Sequence, residues 1–359
     1  MEKELYLHPI KGNNKKRKDM KTNSIIISLL FVLLLGACSS APVLPSSTGL
    51  AYEVVVTMTE QLWKGEVGEA VKADLASEVP GLPQVEHSMR ITYASPQNFN
   101  GLLTYVRNLL ILRIDATAYT QVSVNMERNR WSRGQLILTL NAPTEAEAIA
   151  YLTENPKVLV NQFVKEEMTR AVSLFEKTYS QVVYEGVKKK FDAELKVPDN
   201  LTYYRDTADF FWASNNAGTS RMDVVVYSFP YRDENTFTKD YLVNKRDSIM
   251  KLYMPGAFPN SYMTTETRYV QPLYSPITVK GKYCGVLRGL WRMQGDMMGG
   301  PFVSHARLDE ANNRVVVAEG FVYAPETDKR NTIRRIEAAL YTLRLPGEEE
   351  LPNEVVVIP

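Results

Sequence analysis

Few side chains in this 359-residue chain are equipped for chemistry. Beyond residue 37 the histidines are His87 and His305 and the cysteines are Cys38 and Cys284. A histidine metal site needs clustered spacing such as H-E-x-x-H or a Cys/His set, and neither occurs, so no metal is expected. A G-x-S-x-G nucleophile elbow, a P-loop and a dinucleotide G-x-G-x-x-G after a strand are also missing. Ser304 and His305 are adjacent, and neighbours on a strand point to opposite faces rather than at each other. An envelope hydrolase would have to gather its site from His305 and dispersed acidic residues, and it stands as the alternative to a non-enzymatic binding role. Asp309-Glu310 beside Asn312-Asn313 reads as a turn. Cys284, inside an apolar strand pattern, reads as a small buried hydrophobe rather than a reactive thiol.

The most distinctive stretch is residues 280 to 302. Read as a strand, it puts Tyr283, Leu287, Trp291 and Met293 on one face with Gly281, Gly285 and Gly289, and Lys280, Lys282, Arg288 and Arg292 on the other. A basic row can receive an anionic ligand. A solvated sheet face is the plainer reading of the same row. The loop 294 to 302 follows, and the candidate ligand site is Arg288, Arg292, Trp212, Asp296 and His305. Met297 and Met298 in that loop are expected to fill gaps in the core. Trp63, Trp131, Trp212, Trp291 and twenty tyrosines invite stacking on sugars, but large aromatics mostly pack cores.

These residues need elements to hold them. Three short segments recur in order: Tyr52-Glu53-Val54-Val55-Val56 as Met222-Asp223-Val224-Val225-Val226, Val79-Pro80-Gly81-Leu82-Pro83 as Met254-Pro255-Gly256-Ala257-Phe258-Pro259, and Ala142-Pro143-Thr144-Glu145 as Ala324-Pro325-Glu326-Thr327. Their offsets of 170, 175 and 182 suggest a duplicated unit. In each copy a strand (52 to 58, 222 to 228) leads into a helix (60 to 78, 235 to 252). Strands follow near 88 to 94, 108 to 116, 120 to 127 and 134 to 141, and near 263 to 271, 280 to 293, 301 to 309 and 314 to 323. Closing helices are predicted over 145 to 154, 157 to 191 and 327 to 343. The 157 to 191 helix carries Val160, Val164, Met168, Ala171, Phe175, Tyr179, Val182 and Val187 as an apolar stripe to be packed across both sheets. Lys188-Lys189-Lys190 at its end complements the helix dipole. The expected fold is α+β in two similar halves, 51–193 and 194–345, each a mostly antiparallel sheet with helices on one face and a tail at 346–359. Parallel pairing within each β-α-β segment stays open.

Ahead of the body lies an address. Lys11, Lys15, Lys16, Arg17, Lys18 and Lys21 precede an apolar run from Ile25 to Leu35, broken only by Ser28 and closed by Gly36-Ala37. This order of basic, apolar and small residues is that of a secretory signal, here residues 1–37, with Met20 an equally good start. The run is shorter than the roughly 20 apolar residues of a membrane span. Residues 38–50 form a Pro/Ser tether that buries no core. The signal carries seven Lys/Arg and three Asp/Glu, so the chain's net +1 becomes −3 without it. A mildly acidic body is a poor nucleic-acid binder, and none is expected as a partner.

Leu35-Gly36-Ala37-Cys38 resembles the cleavage site of bacterial lipoproteins. That resemblance implies a diacylglyceryl group on the Cys38 sulfur, cleavage before Cys38 and acylation of the new amine, with no other cofactor. Several acyl chains on one cysteine hold a protein at a membrane without a span. An intramolecular disulfide is then ruled out, because Cys284 is left without a partner. The region after Cys38 lacks the acidic run that resembles a surface-export signal, so the expected location is the cell envelope, at the outer membrane facing the periplasm. Residues Gly289 to Leu340, with their G-x-W strand, M-G-G-P-F loop, G-F-V-Y-A-P strand end (Gly320 to Pro325) and D-K-R-N helix start (Asp328 to Asn331), together with FFWASNN at Phe210 to Asn216, resemble a lipoprotein family of unknown function found in Bacteroidetes. The resemblance implies a membrane-anchored envelope protein and transfers no catalytic residue. The implied partners are the membrane, through the lipid, and an outer-membrane protein or an envelope glycan.

Overall fold

In the computed structural model, residues 43–348 are described; the signal, Cys38 and the end of the tail lie outside them. One compact unit begins at Ser46. The expected tether of 38–50 is therefore shortened. Ser46 pairs with Arg133 and Thr48 with Val106, with Ser47 N donating to Arg133 O at 3.0 Å and Thr48 N to Tyr105 O at 2.8 Å.

The first sheet is mixed. Strand β1 (Glu53–Thr57) runs into helices α1 (Glu60–Lys64) and α2 (Glu66–Leu75), separated at Gly65, and returns as β2 (Arg90–Ala94) parallel to β1. Strands β3 (Asn108–Ile114) and β5 (Leu136–Ala142) extend the parallel set, and β4 (Ser123–Arg128) closes the edge antiparallel to β5. The order is β2-β1-β3-β5-β4. The expectation of a mostly antiparallel first sheet is corrected here, and the physical reason is burial. Asn-Leu-Leu-Ile-Leu-Arg-Ile and Leu-Ile-Leu-Thr-Leu-Asn-Ala are covered on both faces, the usual setting of parallel strands.

Helices α3 (Glu145–Glu154), α4 (Val158–Phe175) and α5 (Gln181–Phe191) follow. The single helix expected over 157 to 191 is two. The buried Ser180 starts a new one, its Oγ accepting from Val183 N at 3.4 Å and donating to Leu201 O at 2.6 Å. The start of α4 is held by Asp74, at the end of α2, whose Oδ1 accepts from Val160 N at 2.8 Å. Burial pushes the Asp74 carboxyl up, against the pull of these backbone amides. Two of the three lysines ending α5 are ion-paired, Lys188 with Glu194 and Lys190 with Asp206.

The second sheet is antiparallel and has eight strands: β6 (Tyr203–Thr207), β7 (Phe210–Ser214), β8 (Arg221–Pro230), then helix α6 (Lys239–Tyr253), β9 (Tyr262–Thr265), β10 (Leu273–Val279), β11 (Lys282–Gln294), β12 (Gly299–Asp309) and β13 (Arg314–Tyr323), with α7 (Arg330–Leu340) last. Its order is β10-β11-β12-β13-β8-β7-β6, and β9 also pairs with β11. The two sheets therefore do not repeat one topology. Strand β1 has parallel neighbours on both sides, whereas its proposed counterpart β8 has antiparallel ones.

The larger core joins both sheets through the helices, with Val56, Leu110 and Leu138 from the first, Phe163 and Ile336 from α4 and α7, and Val224, Val286 and Val316 from the second. At Gly320 a Cβ would lie 2.6 Å from Ile336 Cγ2, so only glycine lets α7 close on β13. The other face of the second sheet packs Trp291, Phe302 and Phe321 against Leu242 and Met250 of α6. A third cluster on the far side of the first sheet sets Leu109 and Ile137 under Phe99, Leu103 and Trp131.

Candidate functional site

The predicted parity of β11 is seen, and its basic face is solvated only in part: Lys282 is exposed and Arg292 partly so, whereas Arg288 is largely covered. Cys284, Val286 and Arg288 face the helix layer together with His305 and Arg307 of β12, with which they are in register (Cys284↔Arg307, Val286↔His305). Charges on that face are neutralised from neighbouring segments: Arg288 pairs with Glu337 of α7, and Arg307 with Glu348. The surface between α7 and β11 is therefore polar at one point and apolar around it.

Arg288 lines a cavity of about 310 Å³ where the 77 to 81 segment and α4 of the first half meet the second sheet and α7, at the lower end of the roughly 300–1,000 Å³ of small-molecule sites. Its walls are the 77 to 81 segment after α2, the first turns of α4 (Val160, Asn161, Val164), the start of β10 (Leu273, Tyr274, Ser275), Val303 of β12, and Ile333, Arg334 and Glu337 of α7. Gly81 is the point of closest approach. Its φ is +79°, which favours glycine, and a Cβ there would stand in a tight 3.2 Å contact with Arg288 Cβ. Arg334 spans the back of the cavity, donating to Ser88 O at 2.9 Å and Ser88 Oγ at 3.1 Å over the ring of Tyr52. Burial draws Arg334 below its ordinary range.

The helix that supplies Arg334 and Glu337 is fastened by the first half of the chain. Glu86 accepts from Lys329 N and Arg330 N, both at 2.8 Å, and so caps the exposed amides at the start of α7 across more than two hundred residues. Sequence reasoning missed Glu86, Arg334 and Glu337. The D-K-R-N start carries no capping side chain of its own, and that lack was the available signal.

Of the five residues proposed from sequence, Arg288 alone lines the cavity. Arg292 pairs with Glu266 at 3.2 Å and donates to Gln294. Asp296 sits in the β11–β12 turn, accepting from Met297 N at 2.6 Å. Trp212 lies on β7, four strands from β11 or roughly 19 Å at the usual strand spacing; its Nε1 donates to Asp223 Oδ1 at 3.0 Å. His305 is fully buried, edge-on to the Tyr341 ring at 4.8 Å, and neither ring nitrogen has a hydrogen-bond partner. Burial, with Arg288 and Arg307 adding to it, holds His305 well below its ordinary range, and burial pushes the Cys284 thiol up to about 12. The expectation for the loop methionines is half corrected, since Met298 packs on the core while Met297 is 99% exposed. Among the described residues no group of three or more His, Cys, Asp or Glu is placed to hold a metal, and no helix is long and apolar enough to cross a membrane.

Two domains of unknown function cover the body. DUF8532 matches residues 47–176 and DUF4837 matches residues 180–342. The two matches meet at the break between α4 and α5, and α5 packs on β6 and β7 of the second sheet. A crystal structure of a protein from Bacteroides thetaiotaomicron is similar at a TM-score of 0.23 and 12% identity, over 45% of this chain and 47% of that one, so the chain spans about half the length of that relative. No curated protein matches.

Proposed function

We propose that this chain is a lipid-anchored envelope protein, held at Cys38 to the outer membrane and facing the periplasm, whose body binds a small amphiphilic molecule without transforming it. The observation that carries the binding reading is the cavity at the junction of the two halves, with an apolar wall from Val160, Val164, Val303 and Ile333 and a polar end from Arg288, Glu337 and Arg334. A few convergent polar groups in an apolar concavity orient a ligand rather than attack it. The anchor rests on the Leu35 to Cys38 pattern and on the resemblance to Bacteroidetes lipoproteins. Hydrolysis finds no supporting arrangement, since neither ring nitrogen of the buried His305 has a hydrogen-bond partner and the Ser88 hydroxyl accepts from Arg334.

Asn161, half-buried on α4 at the cavity wall, offers a way to fill the space without opening the core. In native mass spectra of protein extracted from its own envelope, the wild type is expected to carry a small-molecule adduct that Asn161→Trp loses while keeping its circular dichroism. Identical adduct-free spectra for both would contradict the binding reading.

A further inference from the structure

The lipid-anchor reading has a geometric consequence for the body, and the inference rests on it. The chain is tied down at Ser46–Thr48, so Cys38 to Pro45 is all that separates the lipid from a fixed point. Eight residues reach at most about 28 Å in any conformation. A 300-residue unit is roughly 50 Å across by ordinary size scaling. The leash is too short to turn the body over, and the end of the first sheet at which the chain enters must stay beside the bilayer.

That end has the chemistry of a membrane interface. All four parallel strands begin there and β4 ends there, which gathers Arg90, Arg107 and Arg128 with the β4–β5 hairpin that carries Arg130 and Arg133. Arg133 donates to Ser46 Oγ at 3.2 Å, at the entry point itself. The Arg130 guanidinium lies 4.6 Å over the Trp131 ring, and Trp131 meets Phe99 edge-on at 6.0 Å. Beside them Leu102 is 79% exposed, on a turn whose Thr104 carbonyl accepts from Gln135 of the same hairpin region. Four of these arginines are paired with carboxylates, Arg90 with Glu53, Arg107 with Glu167, Arg128 with Glu166 and Arg130 with Glu127, so Arg133 at the entry point carries the most weight in the contact. Arginine with tryptophan around an exposed leucine suits the headgroup level of a bilayer, where amphipathic rings and cations are favoured.

We propose that this surface, centred on Leu102, Trp131, Arg130 and Arg133, rests on the lipid bilayer that holds Cys38. The test uses the full lipid-carrying protein in phosphatidylethanolamine–phosphatidylglycerol vesicles, with a nitroxide on Leu102→Cys or, for comparison, on Glu310→Cys in the β12–β13 turn. Both sites are exposed, and the buried Cys284 does not take the label. Intact mass reports the lipid on Cys38 separately. The Leu102 label is expected to lose collisions with a water-soluble nickel chelate several-fold on vesicle attachment and to gain collisions with oxygen, while the Glu310 label changes in neither. A Leu102 label as open to nickel as the Glu310 label, on protein whose mass shows the lipid, overturns the surface assignment and leaves the anchor standing. Shielding from nickel and oxygen alike marks a protein contact and also overturns it. A mass without lipid on Cys38 overturns the anchor reading, and this assignment with it.

Discussion

Glu319→Ala should destabilise the protein by about 3–5 kcal/mol, and Arg246→Ala by a similar amount, because each strands a buried charge. Glu319 on β13 and Arg246 on α6 are both inaccessible to water. Arg246 Nε lies 3.0 and 2.9 Å from the two carboxylate oxygens, Nη2 lies 2.7 Å from Oε1, and the guanidinium plane sits 3.9 Å over the Phe302 ring. Burial works against the charge on Arg246, but the Glu319 carboxylate outweighs it and holds the guanidinium above its ordinary range. Removing both charges is a different matter. In Arg246→Met/Glu319→Leu the other polar neighbours keep partners. Thr265 Oγ1 stays bonded to Asp247 Oδ1 at 2.7 Å. Asp247, which loses its 3.6 Å ion pair with Arg246, is partly exposed and still accepts from Thr264 Oγ1 and Thr265 N. The double variant is therefore expected to unfold in urea close to the wild type, while each single alanine unfolds well below it. A double variant as weak as the singles would show that the pair contributes net stability rather than specificity.

The second large effect is a pH dependence from His305. The ring faces Tyr341 beyond α7, Cys284 and Arg288 on β11, and Arg307 on its own strand, with no carboxylate in contact with it. Its folded-state value lies well below the ordinary 6.5. Below pH 6.5 the unfolded chain takes up a proton that the folded chain refuses, so stability is full above that pH and falls as the pH drops toward the folded value. The slope is about 1.4 kcal/mol per pH unit from this group alone. Other groups titrate in acid, so the measurement is a difference. Urea unfolding from pH 7 to pH 5 should show the wild type losing on the order of 2 kcal/mol more than His305→Phe. Equal losses would mean that His305 is protonated in the folded protein, and a protonated, partnered histidine would reopen the question of catalysis.

His305 also shows what the sequence could and could not convey. The two-residue alternation through residues 280 to 294 was readable and sorted the side chains of β11 correctly. What covers a face is set by elements far away, here α7, and so a row that reads as solvated is packed at Arg288, where Glu337 supplies the counter-charge, and open to water at Lys282. Strand β10 was missed because Pro276 interrupts a pattern that tolerates proline mainly at an edge, and β10 is an edge. Strand β6, Tyr-Tyr-Arg-Asp-Thr, is mostly exposed and has no apolar alternation to read. The parallel sense of the first sheet was legible in the unbroken apolar runs of β3 and β5, a signal outweighed by three short repeats whose structural settings differ. The cavity could not be read at all. Its polar end depends on Glu86 holding α7 and on Gly81 lying against Arg288, two contacts with no local pattern.

Lipid attachment at Cys38 underlies both the anchor and the membrane-facing surface, and labelled palmitate reads it out. Wild-type protein expressed in a bacterium with lipoprotein-processing enzymes should incorporate the label and fractionate with membranes, whereas Cys38→Ser should incorporate none and appear in the soluble fraction. Label retained by Cys38→Ser, or a wild type that takes up no label, would contradict the anchored-protein reading.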